Sequence, residues 1–331
     1  MRVLVVGGAG YIGSVVTRSL LAEGHEPVVL DSLATGHRDA VPSGVEFLHG
    51  DISERSALKS AMSHSVDAVM HFAARSLVGE SVLRPELYWT TNVGGTRHLL
   101  DAMREANVRR LVFSSTASTY GQPEVVPVDE LARVDPTSPY GSSKLAVDLM
   151  IRDEAGAHGL GAVSLRYFNV AGAVSGAGER HQPETHLVPN ILRVAAGLDP
   201  EVTLFGDDYP TPDGTCIRDY VHVEDLAAAH LLALQSIETV DPGGAGTHRI
   251  FNLGNGTGFS VAEVVESARR VTGRPIPVRI APRRAGDPAV LVASSRRIQQ
   301  ELGWQPRKPG LDQIVGDSWR FLKEVELGRS A

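Results

Sequence analysis

Tyr140 and Lys144, in the run Ser138-Pro139-Tyr140-Gly141-Ser142-Ser143-Lys144, stand four residues apart. On a helix that spacing puts both side chains on one face, within reach of one reacting centre. An isolated phenol titrates near about 10, but a fixed ammonium within a few ångströms favours the phenolate and draws the group towards neutral pH. The pair is therefore a candidate acid and base. By itself Tyr-x-x-x-Lys is a spacing that chance supplies often, and its weight comes from a second motif at the other end of the same half of the chain.

Arg2-Val3-Leu4-Val5-Val6 reads as a buried strand and runs into Gly7-Gly8-Ala9-Gly10-Tyr11-Ile12-Gly13, followed by an apolar-periodic stretch to Glu23. Gly8, Gly10 and Gly13 fit G-x-G-x-x-G, while Gly7, Gly10 and Gly13 fit the looser G-x-x-G-x-x-G. Under either spacing, backbone can approach a pyrophosphate at a helix N-terminus. The next apolar run, Pro27-Val28-Val29-Leu30, ends in Asp31. An acid there can hydrogen-bond the adenosine ribose hydroxyls and repels a 2′-phosphate, so NAD is favoured over NADP.

The elements that must hold these groups follow from the pattern of apolar runs. Runs at 45–48, 66–72, 111–113 and 162–167 alternate with helical stretches, which predicts an α/β fold with a doubly wound parallel sheet, the Rossmann arrangement. Ligands of such sheets sit at the carboxyl ends of the strands, and these runs end in Gly50-Asp51-Ile52, Ala73-Ala74-Arg75, Ser114-Ser115-Thr116 and Asn169. Beyond Asn169 the character changes to a Gly/Ala-rich stretch at 171–178 and loops at 207–214 and 241–246. The expected division is a dinucleotide-binding domain over 1–170 and a smaller C-terminal α/β substrate domain over 171–331, partly interleaved with the first.

A length of 331 residues is about twice the usual ~150 of one domain. The formal charge of −7 argues against nucleic acid as a partner. Cys216 is the only cysteine, which rules out an intramolecular disulfide, suits a reducing cytoplasm and reads best as a small core residue. No apolar run approaches the length of a membrane span, and the apolar N-terminus serves as the first strand, without a charged leader or cleavage site. Glu179, His181, Glu184 and His186 lack a helical His-Glu-x-x-His spacing, so no metal site is expected. His71 and His222 lie in apolar strand-like runs and read as structural, hydrogen-bonded histidines.

Six motifs together resemble the extended short-chain dehydrogenase/reductase family, and within it the UDP-glucose 4-epimerases. They are Gly-Gly-Ala-Gly-Tyr-Ile-Gly at 7–13, His71-Phe72-Ala73-Ala74, Asn92-Val93-Gly94-Gly95-Thr96, Pro139-Tyr140-Gly141-Ser142-Ser143-Lys144, Arg166-Tyr167-Phe168-Asn169-Val170-Ala171-Gly172 and Arg218-Asp219-Tyr220-Val221-His222-Val223-Glu224-Asp225. The likeness spans nearly the whole chain. It implies an NAD-dependent isomerase in which NAD stays bound, Tyr takes the proton of the sugar 4-hydroxyl, hydride leaves sugar C4, and the 4-keto sugar turns over before hydride returns. It also implies a homodimer, with the helices around 92–103 and 140–158 packed across a two-fold axis.

By position, the resemblance gives Tyr11, Ile12, Asp31, Asp51, Ile52, Phe72, Ala73, Asn92, Tyr140, Lys144 and Phe168 to the cofactor, beside Gly7, Gly10 and Gly13 of the turn. Lys144 would hold the nicotinamide ribose and lower the Tyr140 pKa. Thr116 stands where the family usually has a catalytic Ser, and its hydroxyl can still bridge sugar and Tyr140; Ser76 stands where the family often has Lys. For the UDP-sugar, the resemblance assigns Thr116, Asn169, His186 and Leu187 to the sugar side, Phe205 to the uracil wall, Arg218 and Arg284 to the diphosphate and Asp287 to the uridine ribose. Leu291 falls where residue size sets room for the sugar C2 substituent, which leaves UDP-N-acetylglucosamine and UDP-pentoses as alternative substrates. Related dehydratases and decarboxylases carry acids just after the Thr, whereas Ala117-Ser118-Thr119 follow here. A redox-inert NAD-binding sensor is the alternative of another class, opposed by the retained Tyr140, Lys144 and Thr116 hydroxyl.

Overall fold

Val3 and Val5 face one side of strand β1 (Arg2–Val6), Leu4 and Val6 face the other, and all four are at most 1% exposed. A strand apolar on both faces needs cover on both faces. The computed structural model, whose described residues are 1–237, 244–284 and 286–328, supplies it. After β1 come β2 (Glu26–Asp31), β3 (Glu46–His49), β4 (Ala68–His71), β5 (Arg110–Thr116) and β6 (Gly161–Tyr167), each within a residue or two of its predicted run except β5, which extends three residues beyond it to Thr116. Of the loop expected at 241–246, residues 241–243 lie outside the described residues.

Later strands are β7 (Asn169–Ala171), β8 (Val202–Phe205), β9 (Ile217–His222), β10 (His248–Leu253), β11 (Gly258–Ser260), β12 (Val278–Ala281) and β13 (Val290–Leu291). The main sheet has seven strands in the order β10-β6-β5-β4-β1-β2-β3, and every neighbouring pair is parallel. Order reverses beside β1, which pairs with β2 on one side and β4 on the other. That switch point opens the crevice in which such sheets bind ligands. Helices Arg55–Met62, Thr96–Glu105 and Pro139–His158 bury Leu58, Leu99 and Val147 on one face. Helices Tyr11–Ala22 and Val223–Gln235 bury Val16, Leu20 and Leu226 on the other.

The seventh strand is the element that periodicity does not reveal. In His248-Arg249-Ile250-Phe251-Asn252-Leu253 the first three residues are only partly buried, as suits an edge strand whose outer half meets solvent, and the apolar run is too short to stand out. The residues after 170 thus return to the first layer twice, through this strand and through the helix Val223–Gln235.

The remaining strands build what lies over the carboxyl ends. β9 is flanked by β11 and β13 and also pairs with β7, and β8 pairs with β12. Helices Leu187–Ala195, Val261–Thr272 and Leu311–Leu322 close around a separate core containing Ile191, Val264 and Ile314. Cys216 is buried, as expected of a core thiol, and burial pushes its pKa up. Among the described residues no helix is long and apolar enough to cross a membrane.

Candidate active site

The chain leaves β1 through Gly7, at φ +85°, where a Cβ would stand 2.5 Å from the Ala73 nitrogen. A Cβ on Gly13 would stand 2.2 Å from the Gly7 carbonyl oxygen. These contacts require glycine at 7 and 13, Gly8 is kept small by Val29 of β2, 2.7 Å from its would-be Cβ, and a Cβ on Gly10 would meet the Gly7 carbonyl oxygen only at 3.4 Å. Gly10 is the N-cap of the helix Tyr11–Ala22 and brings no side chain to its amides, which leaves their positive end open to an anion. Asp31 takes the Ala9 N–H at 2.9 Å and the Leu33 N–H at 2.8 Å. Its carboxylate is thereby fixed at the rim of the turn, where a ribose diol would meet it. The Tyr11 hydroxyl donates to the Gly172 carbonyl at 2.6 Å, and Ile12 packs partly buried on the same core. A turn that a Cβ would fill, an uncapped helix end and an aligned acid fit a dinucleotide.

Asp51 accepts the Ser53 N–H at 2.8 Å and its hydroxyl at 2.6 Å. Burial works upward on this carboxyl, but Ser53, Ser32 and Arg75 together hold it below the usual range. Ile52 is buried and leaves no room for a side chain on Gly95. Ala73 donates its N–H to Val6 at 3.0 Å, and Phe72 packs against His230 with ring centroids 4.9 Å apart. Asn92 is buried, accepts the Arg75 N–H at 2.8 Å, and donates to the Arg75 carbonyl and to Ser143 Oγ, both at 3.0 Å. Its amide therefore braces the loop after β4 against the Tyr140 helix.

That helix, Pro139–His158, starts because Ser138 accepts the Gly141 N–H at 3.2 Å and Pro139 occupies the first turn. Gly141 is small because the Ser118 carbonyl would stand 2.4 Å from its Cβ. This close approach sets the helix start against the end of β5 and brings Tyr140 to Thr116. Tyr140 is half-buried, and burial raises its hydroxyl above the ordinary value while a hydrogen bond with Thr116 works downward. The depression expected from Lys144 does not arise from the protein's own groups. The ammonium turns instead to the Ser114 carbonyl, at 2.8 Å, and lies 4.8 Å from the Phe113 ring centroid. Burial lowers Lys144 itself to about 7, with Asp148 opposing.

Two residues without an assigned role, Asp148 and Tyr167, complete this region, beside the two histidines expected to be structural. Asp148, one turn beyond Lys144, takes Arg166 at 3.0 and 2.8 Å and Ser115 Oγ at 3.1 Å. The repeat Tyr140, Lys144, Asp148 is the signal that would have found it. Tyr167 hydrogen-bonds Ser114 Oγ, and its hydroxyl lies close enough to feel the charge of Tyr140. His222 meets the structural expectation, with Asp317 at 3.1 Å and the Glu224 N–H at 3.1 Å. His71 meets only half of it: Nε2 bonds Thr96 at 2.9 Å, Nδ1 is buried without a partner, and burial with the Lys144 charge lowers it to about 3.

The expected sugar-side residues fall into groups. Arg218, nearly buried on β9, pairs with Asp287. Arg284 stacks on Phe205 with its guanidinium carbon 3.9 Å from the ring centroid, and its carbonyl accepts the Asp287 N–H at 3.3 Å. Leu291 sits beside Arg218 in register, in the cluster that also holds Phe168, Ala117 and Tyr120. Asn169 opens β7, opposite Tyr220. His186 and Leu187 stand apart from the two arginines, at the start of the helix Leu187–Ala195, where His186 shares a cavity with Tyr11, Gly172 and Glu179. Burial works downward on His181 and His186, but Glu179 and Glu184 outweigh it and raise both above the ordinary histidine value.

Residues 3–254 match the NAD dependent epimerase/dehydratase family. The chain belongs to this family. Two relatives within it are the UDP-glucose 4-epimerase of Streptomyces lividans, 58% identical over 97% of this chain and 95% of that protein, and that of Corynebacterium glutamicum, 53% identical over 98% and 97%. Among solved structures, the UDP-glucose 4-epimerase of Stenotrophomonas maltophila, with bound NAD and formylated UDP-arabinopyranose, superposes with a TM-score of 0.93 at 41% identity over 100% of both chains. For an epimerase/dehydratase family member, the absence of acids after Thr116 selects within the family, since elimination of water needs a proton acceptor and donor beside the 4-keto sugar.

Proposed function

We infer that this chain interconverts UDP-glucose and UDP-galactose by inverting C4 through a transient 4-keto sugar, with NAD bound throughout. The observation that carries this reading is that Ser118, whose N–H holds Thr116 at the carboxyl end of β5, packs its carbonyl against Gly141, so that Tyr140 is set beside the Thr116 hydroxyl, on a helix that Asn92 ties to the dinucleotide side. NAD supplies a hydride acceptor and, in the reverse half, the donor. Gly7, Gly10 and Gly13 hold its pyrophosphate, Asp31 its adenosine ribose, and Asp51, Ile52, Phe72, Ala73 and Phe168 line its path.

Tyr140 takes the proton from the sugar 4-hydroxyl and, once the 4-keto sugar has turned over, returns it to the same oxygen, so one phenol must serve both directions. Thr116 donates and accepts between that oxygen and Tyr140. Lys144 leaves the Ser114 carbonyl for the nicotinamide ribose, and its charge, added to that of the nicotinamide, offsets the burial that raises Tyr140. Arg218 and Arg284 match the bidentate demands of the diphosphate, Asp287 takes the uridine ribose, Phe205 flanks uracil, and Asn169, His186 and Leu187 border the sugar. Leu291 is intermediate in size, and discrimination in such a pocket amounts to about 1–3 kcal/mol, so acetylated or pentose nucleotides are expected as slower substrates.

Incubation with UDP-galactose, UDP-N-acetylglucosamine and UDP-arabinose in separate reactions, without added NAD, tests the reading. UDP-glucose should form fastest, and denaturation of the purified protein should release NAD. Net reduction of a sugar, or dependence on added NAD, would replace epimerisation with dehydrogenation.

The same reading gives residues 1–170 to NAD and 171–331 to the UDP-sugar. A single buried cysteine suits the cytoplasm. A homodimer fits the exposed apolar residues Val78, Val82, Leu83 and Trp89, with Leu149 on the Tyr140 helix, because Leu83 is 82% exposed and a patch of this kind marks an association surface. The helix Thr96–Glu105, expected in the same interface, carries Arg97 and Arg104, both paired with Asp101. Leu83→Asp should convert dimer to monomer in light scattering, and an unchanged mass would move the interface elsewhere.

A further inference from the structure

The loop between β7 and the helix Leu187–Ala195 gathers imidazoles and carboxylates that neither the glycine turn nor Tyr140 requires. Glu179, His181 and His186 each offer one ligand atom, and the three atoms lie within 4.8 Å of one another. His186 Nδ1 stands 3.8 Å from Glu179 and 2.7 Å from Glu184. His181 Nδ1 lies against the other Glu179 oxygen, yet it is buried and lacks the alignment of a hydrogen bond. The guanidinium within the loop, Arg180, is turned onto Asp39 at 2.6 Å. Among the described residues no lysine or arginine pairs with Glu179 or Glu184, although both side chains are at most 12% exposed. Two carboxylates held together with only imidazoles between them make a place that favours a cation.

We propose that Glu179, His181 and His186 form a three-ligand site for a divalent transition-metal ion of the zinc type. Two imidazoles and one carboxylate suit Zn²⁺ and its neighbours rather than the all-oxygen shells of Mg²⁺ or Ca²⁺. Zinc bonds of about 2.0–2.1 Å in a tetrahedron place ligand atoms roughly 3.3 Å apart, so side-chain rotations of about an ångström close the site. The spacing is not that of a helix, which is why the sequence alone argues against metal. A loop, rather than one helical face, brings these residues together. The ion would clip the loop above the glycine turn, since the cavities here are lined by Tyr11, Gly10 and Ala9 as well as by Glu179 and His181. The site shares His186 with the sugar side of the epimerase reading, but its test requires no activity, so the failure of one is distinguishable from the failure of the other.

The protein, dialysed against chelator and then freed of it, is titrated with Co²⁺ and followed by its visible absorption. One equivalent should bind with the strong bands of a four- or five-coordinate centre; Zn²⁺ should displace it, and excess Mg²⁺ should not. His181→Gln and Glu179→Gln should each weaken binding about 100-fold or more, and the pair guards against one variant failing to fold, with NAD content and melting temperature as checks. Failure to take up Co²⁺, displacement by Mg²⁺, or uptake that both folded variants leave unchanged would overturn the assignment.

Discussion

Tyr140→Phe is expected to keep its bound NAD and to lose between ~10² and ~10⁴ of the epimerisation rate, the usual worth of one positioned acid and base. The substitution removes a single oxygen. The ring keeps its edge-on contact with Tyr88, whose centroid is 6.3 Å away, and the helix keeps its Ser138 cap, so fold and cofactor site should be undisturbed. Thr116 loses a hydrogen-bond partner but retains the Ser118 N–H at 3.1 Å. Because the same phenol acts in both half-reactions, forward and reverse rates should fall together while KM changes little. Rapid-quench rates with UDP-galactose and with UDP-glucose, alongside the NAD released on denaturation, measure this. Turnover near that of the wild type would transfer the proton to another group, such as Tyr167, whose hydroxyl feels the charge of Tyr140.

Lys144→Met should produce the opposite pairing of effects, a slower enzyme that is harder to unfold. Lys144 is 3% exposed and burial holds its pKa at about 7, against about 10.4 for a lysine in the unfolded chain. The unfolded chain therefore binds more protons than the folded one between those values, so wild-type stability rises as pH increases through that window. Below pH 7 the penalty is complete, and by linkage it is at most about 5 kcal/mol. Methionine removes the penalty but leaves the Ser114 carbonyl without its donor, a loss of roughly 1–3 kcal/mol. A net gain of at most about 1–3 kcal/mol at pH 7 follows, shrinking towards pH 10. Denaturant melts of both proteins freed of nucleotide, at several pH values, check the slope. The rate should fall on the order of 10² or more, since Tyr140 then keeps the raised pKa that burial gives it. A variant less stable than the wild type at pH 7 would show that Lys144 is neutral there without cost.

The sheet was legible because its inner strands are apolar on both faces and end in small or polar residues. Val3 to Val6 and Val28 to Leu30 could hardly be anything else, and Gly7, Gly13 and Asp31 announce the turn through backbone requirements that only those residues meet. What stayed hidden depends on contacts between distant segments. β10 is half polar because it is an edge. Asn92 reads as a ligand of the cofactor, yet here its amide is taken up by Arg75 and Ser143, a role no spacing discloses. Lys144 reads as the neighbour that tunes Tyr140, but its Nζ is drawn to a carbonyl of β5. Glu179, His181 and His186 meet only because the chain folds back between β7 and the next helix.

The pairing of β10 with β6 carries a consequence for how the molecule can come apart. Chain cut after residue 170 would expose the inner edge of β6 over the six residue pairs from Ala162 to Tyr167 that β10 now covers, a row of bare N–H and C=O groups open to any passing strand. It would also strip Val223–Gln235 from the helix Tyr11–Ala22, whose Val16 and Leu20 share one core with Leu226. Nucleotide and sugar halves are thus stitched into one cooperative body. Neither stretch could be exchanged alone without opening that edge and that core, and on the proposed reading NAD and the UDP-sugar would lose hold together.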